Sequence, residues 1–181
     1  RQDSYGTAYG IYNGVYDPKT TDESKRKVVI EAHCDEIAWI VTQIQEDGYL
    51  RVKRHGGSDN MIAPSMGVVI HTHYGKKIDG VFGWPAIHMR SRDAEKGPEQ
   101  HELWVDTGLG EKKDVEKAGI EVGNLITFDT QFREIGEYYV GRSLDNKIGG
   151  YIIAMALQEL VTQKVKLPYD LYVVNSVQEE V

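Results

Sequence analysis

Between Ser143 and Gln163 the apolar side chains Ile148, Ile152, Ile153, Met155, Ala156, Leu157, Leu160 and Val161 spread over more than one face of a helix. Such a helix needs cover on more than one side, so the segment is expected to be one long, mostly buried helix, capped by Ser143 or Asp145. Pro168 follows, and Tyr169 to Val177 (YDLYVVNSV) reads as a buried strand. Upstream, Lys27 to Ala32 (KVVIEA) and Ile37 to Ile44 (IAWIVTQI) have the apolar runs of strands in a largely buried sheet. The Gly- and Tyr-rich stretch Tyr5 to Tyr16 suggests one or two further strands turning near Asn13-Gly14, with the polar stretch Asp17 to Lys25 after it. Strand, strand, interruption, helix, strand is the outline of an α/β sheet domain.

The interruption has a texture of its own. From Asp47 to about Tyr139, short strand candidates alternate with glycines: Tyr49 to Lys53, Gly67 to Tyr74, Ile78 to Trp84, Glu102 to Asp106 and Leu125 to Phe128. That pattern is expected of a small β-barrel or sandwich. A polar loop, Arg90 to Gln100, and a short helix, Glu111 to Ala118 ending at Gly119, break it. At roughly 150 residues per domain, 181 residues make one domain, or one carrying a smaller insertion. The expected division is 1–46 with 140–181 as the α/β part and 47–139 as the insertion.

Charge and cysteine usage narrow the functional classes. With 21 Lys+Arg against 28 Asp+Glu, the net charge is −7. No basic cluster is present to hold a phosphate backbone, so nucleic acid is excluded as an expected partner. No stretch approaches the ~20 apolar residues of a membrane span. The one cysteine, Cys34, can form no internal disulfide, and no amino-terminal apolar segment has signal-peptide character; a reducing compartment, the cytoplasm, is expected. The chain starts at Arg1 without methionine and stops at Val181 straight after a strand-like run, and is expected to be part of something longer.

Three segments put ligand-type side chains at the ends of buried elements. In Ala32-His33-Cys34-Asp35-Glu36, residues two apart share a face of an extended chain, so Asp35 can reach the His33 imidazole and hold a metal-bound tautomer. In Gly141-Arg142-Ser143-Leu144-Asp145-Asn146-Lys147, Asp145 stands where the helix begins, and its two oxygens could bridge paired cations. Gly149-Gly150 within the helix points to a packing constraint there. In Gln178-Glu179-Glu180-Val181, adjacent carboxylates leave the carboxyl end of a strand, where open α/β sheets bind ligands. One could hold a metal and the other take a proton from water. Taken singly, each has an ordinary reading as a solvated turn, a helix cap or a surface turn. His71 and His73 could share a strand face, but no carboxylate or thiol converges on them and a solvated face explains them. His88 is expected to be packed or exposed without a metal.

Together these segments resemble the TET-type metallo-aminopeptidases, a family of glutamyl and deblocking aminopeptidases with members once labelled endoglucanase M. The resemblance rests on AHCDEIAWIV (32–41), VDTGLGEKKDVEKAGIEVGN (105–124), GRSLDNKIGG (141–150) and VQEEV (177–181), in the family's order. Cys34, Ala38 and Lys147 stand where methionine, glycine and arginine are frequent. The resemblance implies a zinc-peptidase-like α/β sheet domain with an inserted small β-barrel, two divalent ions (zinc or cobalt), peptide substrates, and homo-oligomers from dimers to dodecamers. It implies His33 as a ligand of one metal, Asp35 as its orienting partner, Asp145 as the bridge, Glu179 as general base and Glu180 as a ligand of the other metal. An aspartate and a histidine that complete the family's ligand set lie downstream of the glutamate pair, so the chain as given is expected to be incomplete and inactive. The competing readings are a glucanase with Asp145 and Glu179 as its acid and base, which gives His33 and Asp35 no task, a related metallo-carboxypeptidase or deacylase, and a non-catalytic binding or assembly module.

Overall fold

Period-two burial and glycine punctuation divide the chain into short strands and two α-helices, seen in a computed structural model that describes residues 1–15, 26–90 and 96–181. In chain order the strands are β1 (Ala8–Tyr12), β2 (Lys27–His33), β3 (Ala38–Ile44), β4 (Leu50–His55), β5 (Gly67–His71), β6 (Lys77–Gly83), β7 (Trp104–Asp106), β8 (Leu125–Phe128), β9 (Arg133–Ile135), β10 (Tyr138–Val140) and β11 (Asp170–Ser176). The helices are α1 (Lys112–Ala118) and α2 (Leu144–Thr162). The polar stretch 17–25, the end of the Tyr5 to Tyr16 candidate, and residues 91–95 of the polar loop lie outside the described residues. No described helix is long and apolar enough to cross a membrane. The residues fall into two compact units: Arg1–Glu36 with Ser143–Glu179, and Ile37–Arg142 with Glu180–Val181.

In the first unit β1, β11 and β2 form a sheet in that order, β1 antiparallel and β2 parallel to β11. The parallel register sets Ser176 opposite His33, and Cys34 N–H donates to the Ser176 carbonyl at 2.9 Å. The segments that follow the two strands therefore emerge together at the sheet's carboxyl edge. A single strand occupies the Tyr5 to Tyr16 region among its described residues; beyond it Gly14 N–H donates to Asp170 Oδ1 at 2.9 Å. Helix α2 packs on β2, and the Tyr12 hydroxyl donates to the Leu160 carbonyl at 3.2 Å.

The burial expected for this unit is not what the structure shows. In β2 only Ala32 and His33 are buried, while Val28, Val29 and Ile30 are exposed, because β2 is the sheet's edge strand. No residue of α2 is buried, and Ile148, Tyr151, Ile152, Met155 and Val161 face solvent, because within the unit the helix has the sheet on one side only.

The second unit is a closed six-strand barrel in the order β3-β4-β7-β6-β5-β8 with antiparallel neighbours. Alternation decides which side chains line it: Leu50 and Val52 of β4 and Val68 and Ile70 of β5 point inward. Trp39 sits at its centre, with ring centroids 4.9 Å from Phe82 and 4.7 Å from Phe128. Edge-on aromatic contacts of this kind add to the stabilisation from burial alone. The sequence places Ile37 to Ile44 in the same sheet as Lys27 to Ala32; the structure instead pairs β3 with β4 and β8. An apolar run reports burial and not the partner strand, and Trp39 and Val41 are buried inside the barrel. Helix α1 buries Val115 and ends at Gly119, whose φ of 99° is the left-handed cap that glycine adopts without a Cβ clash. Strands β9 and β10 pair as a separate exposed hairpin.

Candidate functional site

Because β2 and β11 run parallel in register, His33, Asp35 and Glu179 meet at one edge of the first unit, and the amino-terminal end of α2 brings Asp145 to the same place. The His33 ring is buried, with a side-chain exposure of 8%. Its Nε2 lies 3.1 Å from Asp145 Oδ1 and 3.7 Å from Glu179 Oε2. Its Nδ1 lies 3.4 Å from Asp35 Oδ1, close enough for charge attraction but not aligned as a hydrogen bond. Asp35 Oδ1 also accepts from the Glu179 backbone N–H at 3.3 Å, tying the two strand ends together.

Burial disfavours a charged imidazole, but the Asp145 hydrogen bond, the Glu179 charge and the Asp35 backbone and charge outweigh it, so His33 is held above its ordinary 6.5. Asp145 and Glu179 are largely open, with side-chain exposures of 86% and 57%. A buried nitrogen donor thus lies beneath accessible carboxylates. Such a donor set suits a divalent cation: ligand atoms sharing one zinc at ~2.0–2.2 Å lie ~3 Å apart, the spacing of Nε2 and Oδ1.

The first turn of α2 is irregular where Asp145 sits. Asp145 (φ −84°, ψ 112°) and Asn146 (φ −120°, ψ 33°) are non-helical, and Gly149 lies against the Asn146 side chain. A Cβ at Gly149 would be 2.1 Å from Asn146 Oδ1 and 3.2 Å from Ala32 Cβ, which is the packing constraint that a glycine mid-helix suggests. Neither Ser143 nor Asp145 caps the helix through its side chain. Ser143 occupies the cap position with φ 61°, but no cap hydrogen bond forms; its hydroxyl donates to Glu36 Oε2. Glu36 is the functional-site neighbour that sequence reasoning leaves without a task.

Glu180 groups with the second unit, where its backbone is placed so close to Gly56 that a Cβ there would lie 2.2 Å from the Glu180 carbonyl oxygen. His71 is not on a solvated face: it is half-buried, with Nε2 2.9 Å from Thr127 Oγ1. His73 lies past the end of β5 and is exposed, as is His88, which sits in a single 3-10 turn, Ile87–Met89.

The profile of the M42 glutamyl aminopeptidase family matches residues 13–181. Over 157 residues, 86% of this chain and 43% of the relative, the sequence is 38% identical to FrvX of Escherichia coli (strain K12). It is 31% identical over 163 residues to the lysyl aminopeptidase of Pyrococcus furiosus, covering 87% of this chain and 45% of that one. In structure it superposes on the aminopeptidase APDkam598 from the archaeon Desulfurococcus kamchatkensis with a TM-score of 0.85 and 33% identity, across 99% of this chain and 46% of the other. The chain therefore has a mixed α/β fold like that of these aminopeptidases, and it spans less than half the length of these relatives.

Proposed function

The chain belongs to the M42 glutamyl aminopeptidase family, and from that premise we propose that it carries one part of a metal-dependent aminopeptidase that removes residues from the free amino terminus of peptides. The observation that carries the reading is His33, buried, with Asp35 beside one ring nitrogen and Asp145 and Glu179 beside the other. His33 Nε2 and Asp145 are assigned as ligands, Asp145 as the bridge between two ions, and Glu180 as a ligand of the second, by resemblance to the family. Two divalent ions, zinc or cobalt, supply when bound the polarisation of the scissile carbonyl and the acidification of water that hydrolysis at neutral pH requires.

The remaining work falls to the chain's own groups. Asp35 stands 3.4 Å from Nδ1 and keeps the ring oriented with Nε2 toward the open side. Glu179, more than half exposed, is placed to accept a proton from water and return it to the leaving amine. Asp35 also accepts from the Glu179 backbone, so the base and the ligand's orienter share one anchor.

In this reading 1–46 and 140–181 belong to the catalytic domain and 47–139 to an inserted barrel, β3 being the stretch of the former that pairs into the latter. Peptides are the partners, and a homo-oligomer is the working form by resemblance. A cytoplasmic setting rests on the free Cys34. The test is Glu179→Gln in the whole enzyme of which this chain is one part, a change that is nearly isosteric and removes the base. Turnover of peptides with a free amino terminus is expected to fall ~10²- to 10⁴-fold, with metal content unchanged. A folded, metal-loaded Gln variant with full activity would overturn the assignment.

A further inference from the structure

We propose that Glu36 is a positioning residue that clamps the distorted turn carrying Asp145 and thereby holds that carboxylate against His33. Asp145 and Asn146 depart from helical geometry, so Asp145 is not fixed by the α2 hydrogen-bond ladder as a mid-helix residue would be. A long backbone hydrogen bond, from Lys147 N–H to the Ser143 carbonyl at 3.3 Å, spans the turn, and a contact from outside the helix adds to it. Glu36 touches the chain on both sides of Asp145: Oε2 accepts from the Ser143 hydroxyl, two residues before, and Oε1 lies 4.0 Å from Lys147 Nζ, two residues after.

The two contacts are unequal. Lys147 is half exposed and its distance is at the limit of an ion pair, so that arm contributes little. The Ser143 arm is a charge-assisted hydrogen bond from a residue held at φ 61°, a left-handed conformation that is unfavourable for a residue with a side chain. Released from Glu36, Ser143 is expected to relax toward an ordinary cap conformation and carry Leu144 and Asp145 with it. Glu36 also sits three residues after His33, on the connection that leaves β2, so one short segment delivers the imidazole, its orienting carboxylate Asp35 and the clamp on the facing carboxylate.

The importance of this clamp to a metal rests on the function proposed above, so the experiment reads the clamp first without metal. A carboxylate only accepts, so His33 Nε2 must carry the proton shared with Asp145 at 3.1 Å. In ¹⁵N-labelled, metal-free protein this proton is expected as a slowly exchanging imidazole resonance, identified by its loss in His33→Gln. Glu36→Ala and Ser143→Ala are each expected to speed its exchange at least about tenfold, the factor that loss of a hydrogen bond to a charged group corresponds to, and the double variant no further than either single one. Glu36→Gln keeps an acceptor for the Ser143 hydroxyl and is expected to restore protection, whereas Lys147→Ala leaves it nearly unchanged. Circular dichroism melts confirm that each variant is folded; should Glu36→Ala not fold, Ser143→Ala and Glu36→Gln carry the same contrast. A parent protein with no protected proton, a folded Glu36→Ala or Ser143→Ala with undiminished protection, or losses that multiply in the double variant would overturn the proposal. Zinc titration of the same set in the whole enzyme, of which this chain is one part, separates the two readings: a whole parent enzyme that binds no zinc removes the metal assignment, while the exchange data still decide the clamp.

Discussion

His33 brings one neutral donor atom to a place where three carboxylates, Asp35, Asp145 and Glu179, lie within 4 Å of its ring nitrogens. A cation bound there would relieve the mutual repulsion of those carboxylates and let the buried ring work as a neutral ligand. The two ligand side chains should not be equivalent. In the whole enzyme, His33→Ala is expected to weaken one zinc site by more than the ~10- to 100-fold typical of losing an outer partner and leave the second occupied more readily. Asp145→Asn should weaken both, because one neutral acceptor replaces two charged ones. Calorimetric titration with zinc checks this contrast, and equal losses from one site only would count against Asp145 as the bridge. The sequence makes these candidate residues readable because each stands at the end of an apolar element in a dense polar motif. It does not make Glu36 readable: its partner Ser143 is 107 positions away, and a glutamate after an aspartate at a strand end looks like a solvated turn.

Among the elements, α2 carries the largest tension between local preference and function. Glycine inside a helix costs ~1 kcal/mol relative to alanine, so Gly149→Ala should stabilise an unconstrained helix. Here the added Cβ would meet Asn146 Oδ1 at 2.1 Å and Ala32 Cβ at 3.2 Å, next to Asp145 and His33 respectively. The expected outcome is displacement of the Asn146 amide, which cancels the ~1 kcal/mol that alanine would otherwise contribute, read by urea unfolding as no net gain. A net gain in stability would show that the turn can open without cost. The existence and type of α2 are legible from its apolar residues, and so are β11 and β8 nearly to the residue. The pairing of β3 is not. Its apolar run and Trp39 report an interior position, but choosing between two possible interiors depends on β4 and β8, which meet it from different parts of the chain.

At the scale of the whole molecule, the barrel's stability rests on register: a slip of one residue in any strand turns its inward set out to solvent. Adjacent residues of β6 offer a direct measurement, since Phe82 is 2% exposed beside Trp39 while Val81 is 42% exposed on the outer face. Phe82→Ala removes a buried ring and leaves a cavity against Trp39 and Phe128, with an expected cost of ~3–5 kcal/mol. Val81→Ala removes a half-solvated side chain and should change stability by no more than ~0.5 kcal/mol. For a chain of 181 residues, about 1 kcal/mol corresponds to ~2–4 °C in Tm. The Phe82 variant should therefore melt ~6–20 °C below the parent, with the Val81 variant within ~2 °C of it by the same conversion. Far-UV circular dichroism follows both without relying on tryptophan emission, which Phe82 itself contacts. Equal depressions, or a larger one for Val81, would mean that β6 pairs with β5 and β7 one residue out of the register seen here, and that the inward alternation of the barrel has been assigned to the wrong face.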